Sequence, residues 1–142
     1  MIRHTMRALC AATLVIAPLA LSTAPAHAVT ACTVNGRPVS GTTVNGTSGA
    51  DLIRCGSVAA GDSVNGLGGA DYIVVTGTVS GTVDGGAGAD YVTAEDGTTG
   101  TGQVLGSTEN DFLRVGPNAG VVNGGAGVDF CRVSSGNPPV NC

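Results

Sequence analysis

The sequence predicts an all-β chain, a parallel β-solenoid or β-roll of about five coils with disulfide-capped ends. Three observations carry that reading. A short motif recurs five times at a nearly constant step, the residues between are strand and turn formers without a helical period, and cysteines flank both ends of the array.

Each copy of the motif is a Gly-turn that runs into an Asp and then a bulky apolar residue. The copies read NGTSGADLI (Asn45 to Ile53), NGLGGADYI (Asn65 to Ile73), DGGAGADYV (Asp84 to Val92), LGSTENDFL (Leu105 to Leu113) and NGGAGVDFC (Asn123 to Cys131). The Asp residues stand at 51, 71, 90, 111 and 129, in steps of 20, 19, 21 and 18. A unit of this length is one supersecondary element that cannot enclose a core alone, so copies must stack. A segment with a single inward Val precedes each turn: TVNG from Thr43, SVNG from Ser63, TVDG from Thr82, QVLG from Gln103 and VVNG from Val121. Connectors at Gly56 to Asp62, Gly77 to Gly81, Glu95 to Gly102 and Gly116 to Gly120 take up most of the length drift. Gly, Thr, Val and Asn dominate and no 3.6-residue apolar period occurs, which argues against helix.

Alternation sorts the faces of the strands. Val44, Val64, Val83, Val104 and Val122 should form one inward column, and Ile53, Ile73, Val92, Leu113 and Cys131 a second. Cys55, Val75, Ala94, Val115 and Val133 continue the second strand's inward side. All four aromatic residues, Tyr72, Tyr91, Phe112 and Phe130, directly follow a motif Asp and should stack as an outward ladder, with Leu52 at the same place in the first copy. Such a ladder either shields the sheet or serves as a strip for a carbohydrate or protein partner. With the opposite pleat the same residues would be core.

The first residues suggest export. Arg3 and Arg7, the apolar stretch Ala8 to Leu21 and the small-x-small Ala26-His27-Ala28 read as a cleaved secretory signal over 1–28. The apolar run is short for a membrane anchor. Residues 29–142 then form a single repeat domain, with repeats over about 42–133 and a capping segment at each end. The expected location is secreted, extracellular, with no membrane association after signal cleavage. Both His residues, His4 and His27, lie in the signal, so imidazole chemistry is absent from the domain. The domain keeps four Arg and all ten acidic residues and has no Lys, a formal charge of −6. That balance excludes an electrostatic footprint for nucleic acid.

Once Cys10 leaves with the signal, Cys32, Cys55, Cys131 and Cys142 remain. An even number in an exported chain reads as two disulfides. Three connectivities are open; Cys32–Cys55 with Cys131–Cys142 is favoured because each pair brackets one end of the array. The rival is a zinc site of four thiolates, although no C-x-x-C knuckle is present.

A file of carboxylates beside Gly-rich carbonyls suits a hard cation, calcium foremost. The third copy, Gly85-Gly86-Ala87-Gly88-Ala89-Asp90-Tyr91-Val92, has the full G-G-x-G-x-D-x-U pattern, and the fifth, Gly124 to Cys131, follows it up to its Cys. The first and second have Thr47 and Leu67 for the second Gly, and the fourth has Ser107 and Glu109 for two of them. On these residues the array over about 42–133 resembles the haemolysin-type, or RTX-like, calcium-binding repeat family. The resemblance implies a parallel β-roll with Ca2+ between successive turns. It nominates Asp51, Asp71, Asp90 and Asp129, with Asp111 less secure, and the carbonyls of turns at Gly46, Gly49, Gly66, Gly69, Gly85, Gly88, Gly124 and Gly127. The chain departs from that family in its step near twenty rather than about nine, in carrying the motif on one edge only, and in an N-terminal rather than C-terminal export signal. Between one and four ions are expected, with the turns of Asp71 and Asp90 the best site. Arg54, Arg114 and Arg132 follow their Asp by three residues and could screen it, whereas Val74 and Thr93 stand there beside Asp71 and Asp90. The alternative is an array whose Asp residues are turn formers, held by hydrogen bonds alone.

The expected function is therefore an extracellular calcium-binding repeat protein whose fold the ion stabilises. The second hypothesis is a non-enzymatic surface or matrix protein that binds through the aromatic ladder, with calcium incidental. An enzyme is disfavoured: Glu95 and Asp96 read as a solvated turn, and without His or Lys no Ser or Thr has an evident base.

Overall fold

The structure is a computed structural model that describes residues 29–142; the proposed signal, 1–28, lies outside the described residues. Twelve strands and no helix occur among them: β1 (Thr30–Val34), β2 (Arg37–Gly41), β3 (Thr43–Asn45), β4 (Leu52–Cys55), β5 (Ser63–Asn65), β6 (Tyr72–Val75), β7 (Thr82–Ala87), β8 (Tyr91–Ala94), β9 (Gln103–Thr108), β10 (Phe112–Asn118), β11 (Val121–Ala126) and β12 (Phe130–Gly136). They form two sheets, one ordered β12-β10-β8-β6-β4-β1-β2 and the other β11-β9-β7-β5-β3. From β3 onward every pairing within a sheet is parallel between successive coils, which makes the molecule a β-solenoid of about five turns.

The motif sets the register. Leu52, Tyr72, Tyr91, Phe112 and Phe130 pair in sequence across the larger sheet. Val44, Val64, Val83, Val104 and Val122 do so across the smaller. Because side chains alternate, a one-residue slip would turn every apolar side chain outward; the drift in step length is therefore absorbed outside the strands. All five Val residues, together with Ile53, Ile73, Val92 and Leu113, are fully buried. Cys131 and Val133, at the last coil, are only partly covered.

The connectors are more ordered than their composition suggests. Each contributes one inward residue to a third column, and Val58, Val79, Thr98 and Asn118 form a chain of parallel bridges. Val58 and Val79 join the apolar core. In the next two coils the same place is polar, and Thr98 Oγ1 donates to Asn118 Oδ1 at 2.5 Å.

Both ends are covered and stapled as the spacing suggested. The β1–β2 hairpin turns at Asn35-Gly36, both at positive φ, as a tight two-residue hairpin requires. It lies antiparallel on β4 with Cys32 opposite Cys55, and these two form a disulfide. Buried Asp62 fixes the start of β1, accepting from Thr30 N at 2.9 Å and Thr30 Oγ1 at 2.8 Å. At the other end Cys131 and Cys142 are bonded, and Val140 bridges Asn123 to cover β11. With every domain thiol in a disulfide, the four-thiolate zinc alternative is excluded.

Candidate cation site

The motif turn joins a strand of the smaller sheet to one of the larger, and the Asp side chain folds into that corner. Asp51, Asp71, Asp90 and Asp111 are all buried, and Asp129 in the last coil is half-buried. The carboxylates form a ladder along the solenoid axis. Asp51 N donates to Asp71 Oδ1, Asp71 N to Asp90 Oδ1, Asp90 N to Asp111 Oδ1 and Asp111 N to Asp129 Oδ1, each at 2.8 Å. One oxygen of each Asp from 71 to 129 thus satisfies a backbone N–H that a turn would otherwise leave unpaired.

The second oxygen is different. Oδ2 of Asp71, Asp90 and Asp111 is buried without a hydrogen-bond partner. Each lies against the first turn glycine of its own coil, Gly66, Gly85 and Gly106, which has no room for a Cβ. A Cβ on Gly66 would meet both Asp71 Oδ2 and Gly85 O, and one on Gly106 both Asp111 Oδ2 and Gly124 O. On Gly46 it would be 2.6 Å from both Asp51 Oδ2 and Gly66 O. Carboxylate oxygen and carbonyl oxygen of the next coil therefore crowd the same corner. Two acceptors in such a place repel unless a proton or a cation joins them.

The first coil shows the ladder with its charge fully solvated by protein. Thr47 N and Oγ1 both donate to Asp51 Oδ2, and Asn35 Nδ2 donates to Asp51 Oδ1. Asn35 Oδ1 also accepts from Leu52 N at 2.9 Å, so this hairpin residue ends the ladder as a further coil would. Burial pushes the Asp51 carboxyl up, but these donors outweigh it and hold it below the ordinary carboxylate value. Asp71 has no such donors on Oδ2 and is raised, first by burial and then by the charge of Asp51, with the Asp51 N–H opposing. Burial, with neighbouring acids adding to it, pushes Asp90 and Asp111 up to about 6 each. No guanidinium contributes to either shift.

The site residues expected from sequence divide into two groups. The structure brings together the five Asp residues and the first-glycine set, Gly46, Gly66, Gly85 and Gly124. The third-glycine set, Gly49, Gly69, Gly88 and Gly127, runs along the rim of the turn. Gly88 packs on the Gly69 carbonyl and Gly127 on that of Glu109, with no carboxylate oxygen among their nearest atoms. The sequence reading missed Asn35, Thr47 and Gly106. Asn35 has no signal beyond its hairpin turn, but Gly106 occupies the motif's first glycine position in a copy that otherwise looks degenerate. No group of three or more acidic, Cys or His side chains is arranged to hold a metal ion among the described residues. Any ion here would draw on carbonyl oxygens as well as carboxylates.

The aromatic side chains point outward and stack face to face. Centroid distances are 4.9 Å for Tyr72–Tyr91, 4.7 Å for Tyr91–Phe112 and 5.1 Å for Phe112–Phe130. The internal ring faces are spent on one another, which knits the coils and leaves mainly ring edges toward solvent.

In comparisons with known proteins, no family model matches the chain, and no curated protein or solved structure matches it.

Proposed function

We propose that this chain is an extracellular calcium-binding repeat protein, of the RTX-like kind that its motif resembles, in which Ca2+ stabilises the stacked turns. The observation that carries this reading is the row of buried, unpartnered Oδ2 atoms on Asp71, Asp90 and Asp111. The donor set fits the ion: the oxygens closest to the first turn glycines Gly66 and Gly106 are a carboxylate Oδ2 and a carbonyl oxygen, and calcium takes six to eight oxygen ligands with carboxylates bound through one or both oxygens. Asp71, Asp90 and Asp111 would hold it through Oδ2, helped by the carbonyls of Gly85 and Gly124. Calcium supplies the positive charge that the corner lacks. The chain itself does the positioning. Each Oδ1 stays on the backbone N–H of the coil before it, which fixes the carboxylate plane, and the missing Cβ of each first glycine lets the carbonyls approach. A ligand that binds only the folded state raises stability in proportion to the logarithm of its concentration over Kd.

Calorimetric titration of the EDTA-stripped, disulfide-bonded chain with CaCl2 at pH 7.5 tests this. Saturable heat at one to four ions per chain is expected, lost in Asp71→Asn/Asp90→Asn. Absence of heat in the parent chain would overturn the reading.

A further inference from the structure

Cations are scarce in residues 29–142, four Arg against ten acids, yet three of the four share one place. Arg54, Arg114 and Arg132 are exposed on the outer face of the larger sheet, each three residues after a motif Asp. Arg114 and Arg132 are direct neighbours in register, so their backbones are one strand spacing apart, ~4.8 Å. Neither guanidinium has an ion pair or hydrogen bond among the described residues. Like charges set opposite one another across a sheet oppose folding, and an acidic protein offers many carboxylates that could have paired them. Nor do they relieve the Asp ladder, whose shifts have no guanidinium among their causes. Folding therefore gives no reason for the pair.

The two side chains line a groove of about 480 Å³ that crosses the last three coils, with Thr93, Glu95, Gly116 and Ser134. At the edge of this surface the aromatic ladder ends. One face of Phe130 packs on Phe112, no further ring covers the other, and the residue is 58 % exposed. Phe130 and Arg132 lie on the same face of β12, two residues and so ~6.8 Å apart along the strand.

We propose that this groove binds an acidic polysaccharide, with a carboxylate or sulfate held by Arg132 and Arg114 and a neighbouring sugar ring on the exposed Phe130 at the end of the ladder. A guanidinium presents paired donors that match an oxyanion, and an aromatic face suits the C–H side of a sugar. The chain's own charge of −6 opposes a polyanion as dense as nucleic acid and tolerates a local oxyanion contact. The inference does not rest on calcium, and its test is run in EDTA.

Binding of the disulfide-bonded chain to polygalacturonate, dextran sulfate and neutral dextran is measured by calorimetry. Binding to one or both charged polymers and none to neutral dextran is expected; polygalacturonate alone assigns a carboxylate, dextran sulfate alone a sulfate. Arg114→Gln/Arg132→Gln should weaken binding by about ten-fold or more without lowering the melting temperature, since it removes a like-charge pair. Phe130→Ala should also weaken it, and Arg54→Gln, outside the groove, should not. The proposal is overturned if neither charged polymer binds, if neutral dextran binds equally, or if the double Arg variant binds like the parent.

Discussion

Leu67, Ser107 and Glu109 hold positive φ angles of 77°, 83° and 77° where other copies place glycine. The left-handed region costs an L-residue about 1–2 kcal/mol, so these three residues, in two turns, carry strain that Gly86, Gly88, Gly125 and Gly127 avoid. Leu67 is half exposed and its side chain contributes little burial. Leu67→Gly should therefore stabilise the chain by roughly 1 kcal/mol, a rise of several degrees in a thermal melt. The ladder makes the opposite case. Asp90→Ala leaves the Asp71 N–H buried and unpaired, which should cost about 1–3 kcal/mol in denaturant unfolding; Asp90→Asn keeps an acceptor and should cost much less. Protonation follows the same geometry. Asp90 and Asp111 have folded pKa values of about 6 against an ordinary 3.8. Between those values the folded chain binds more protons than the unfolded one. Their contribution to stability is thus present below pH 3.8 and lost as pH rises through about 6. Without calcium, the melting temperature should be higher at pH 5 than at pH 7.5. The five Asp positions were legible from sequence. That each side chain turns inward onto the preceding coil's backbone was not, because a turn-forming Asp and a ladder Asp share the same local motif.

Strand faces were readable because alternation is a local rule, and the columns headed by Val44 and Ile53 stand as the pattern requires. The connectors were not, since a single inward residue at Val58, Val79, Thr98 or Asn118 has no period of its own within a short Gly-rich stretch. The end elements owe their place to covalent and polar fasteners more than to burial. Strand β12 is mostly exposed, and the segment that covers β11 is held by a few backbone bonds and the Cys131–Cys142 bridge. Cys131→Ser/Cys142→Ser should cost about 2–4 kcal/mol and speed amide exchange first in β11 and β12. Equal protection in those strands before and after the change would contradict this account of the C-terminal end.

The solenoid is a one-dimensional stack whose stability comes from contacts between neighbouring coils. Three chains of contacts run its length: the apolar columns, the aromatic ladder and the carboxylate ladder. The first two are self-sufficient. The third buries negative charge without a counter-charge in its central coils, and we propose that calcium completes it. The most direct test is the melting temperature of the disulfide-bonded chain at pH 7.5, measured in EDTA and across a CaCl2 series, beside Asp71→Asn/Asp90→Asn. The melting temperature should climb with calcium in the parent chain and stay flat in the variant. A parent chain that melts at the same temperature with and without calcium, or a variant that responds as strongly, would contradict it.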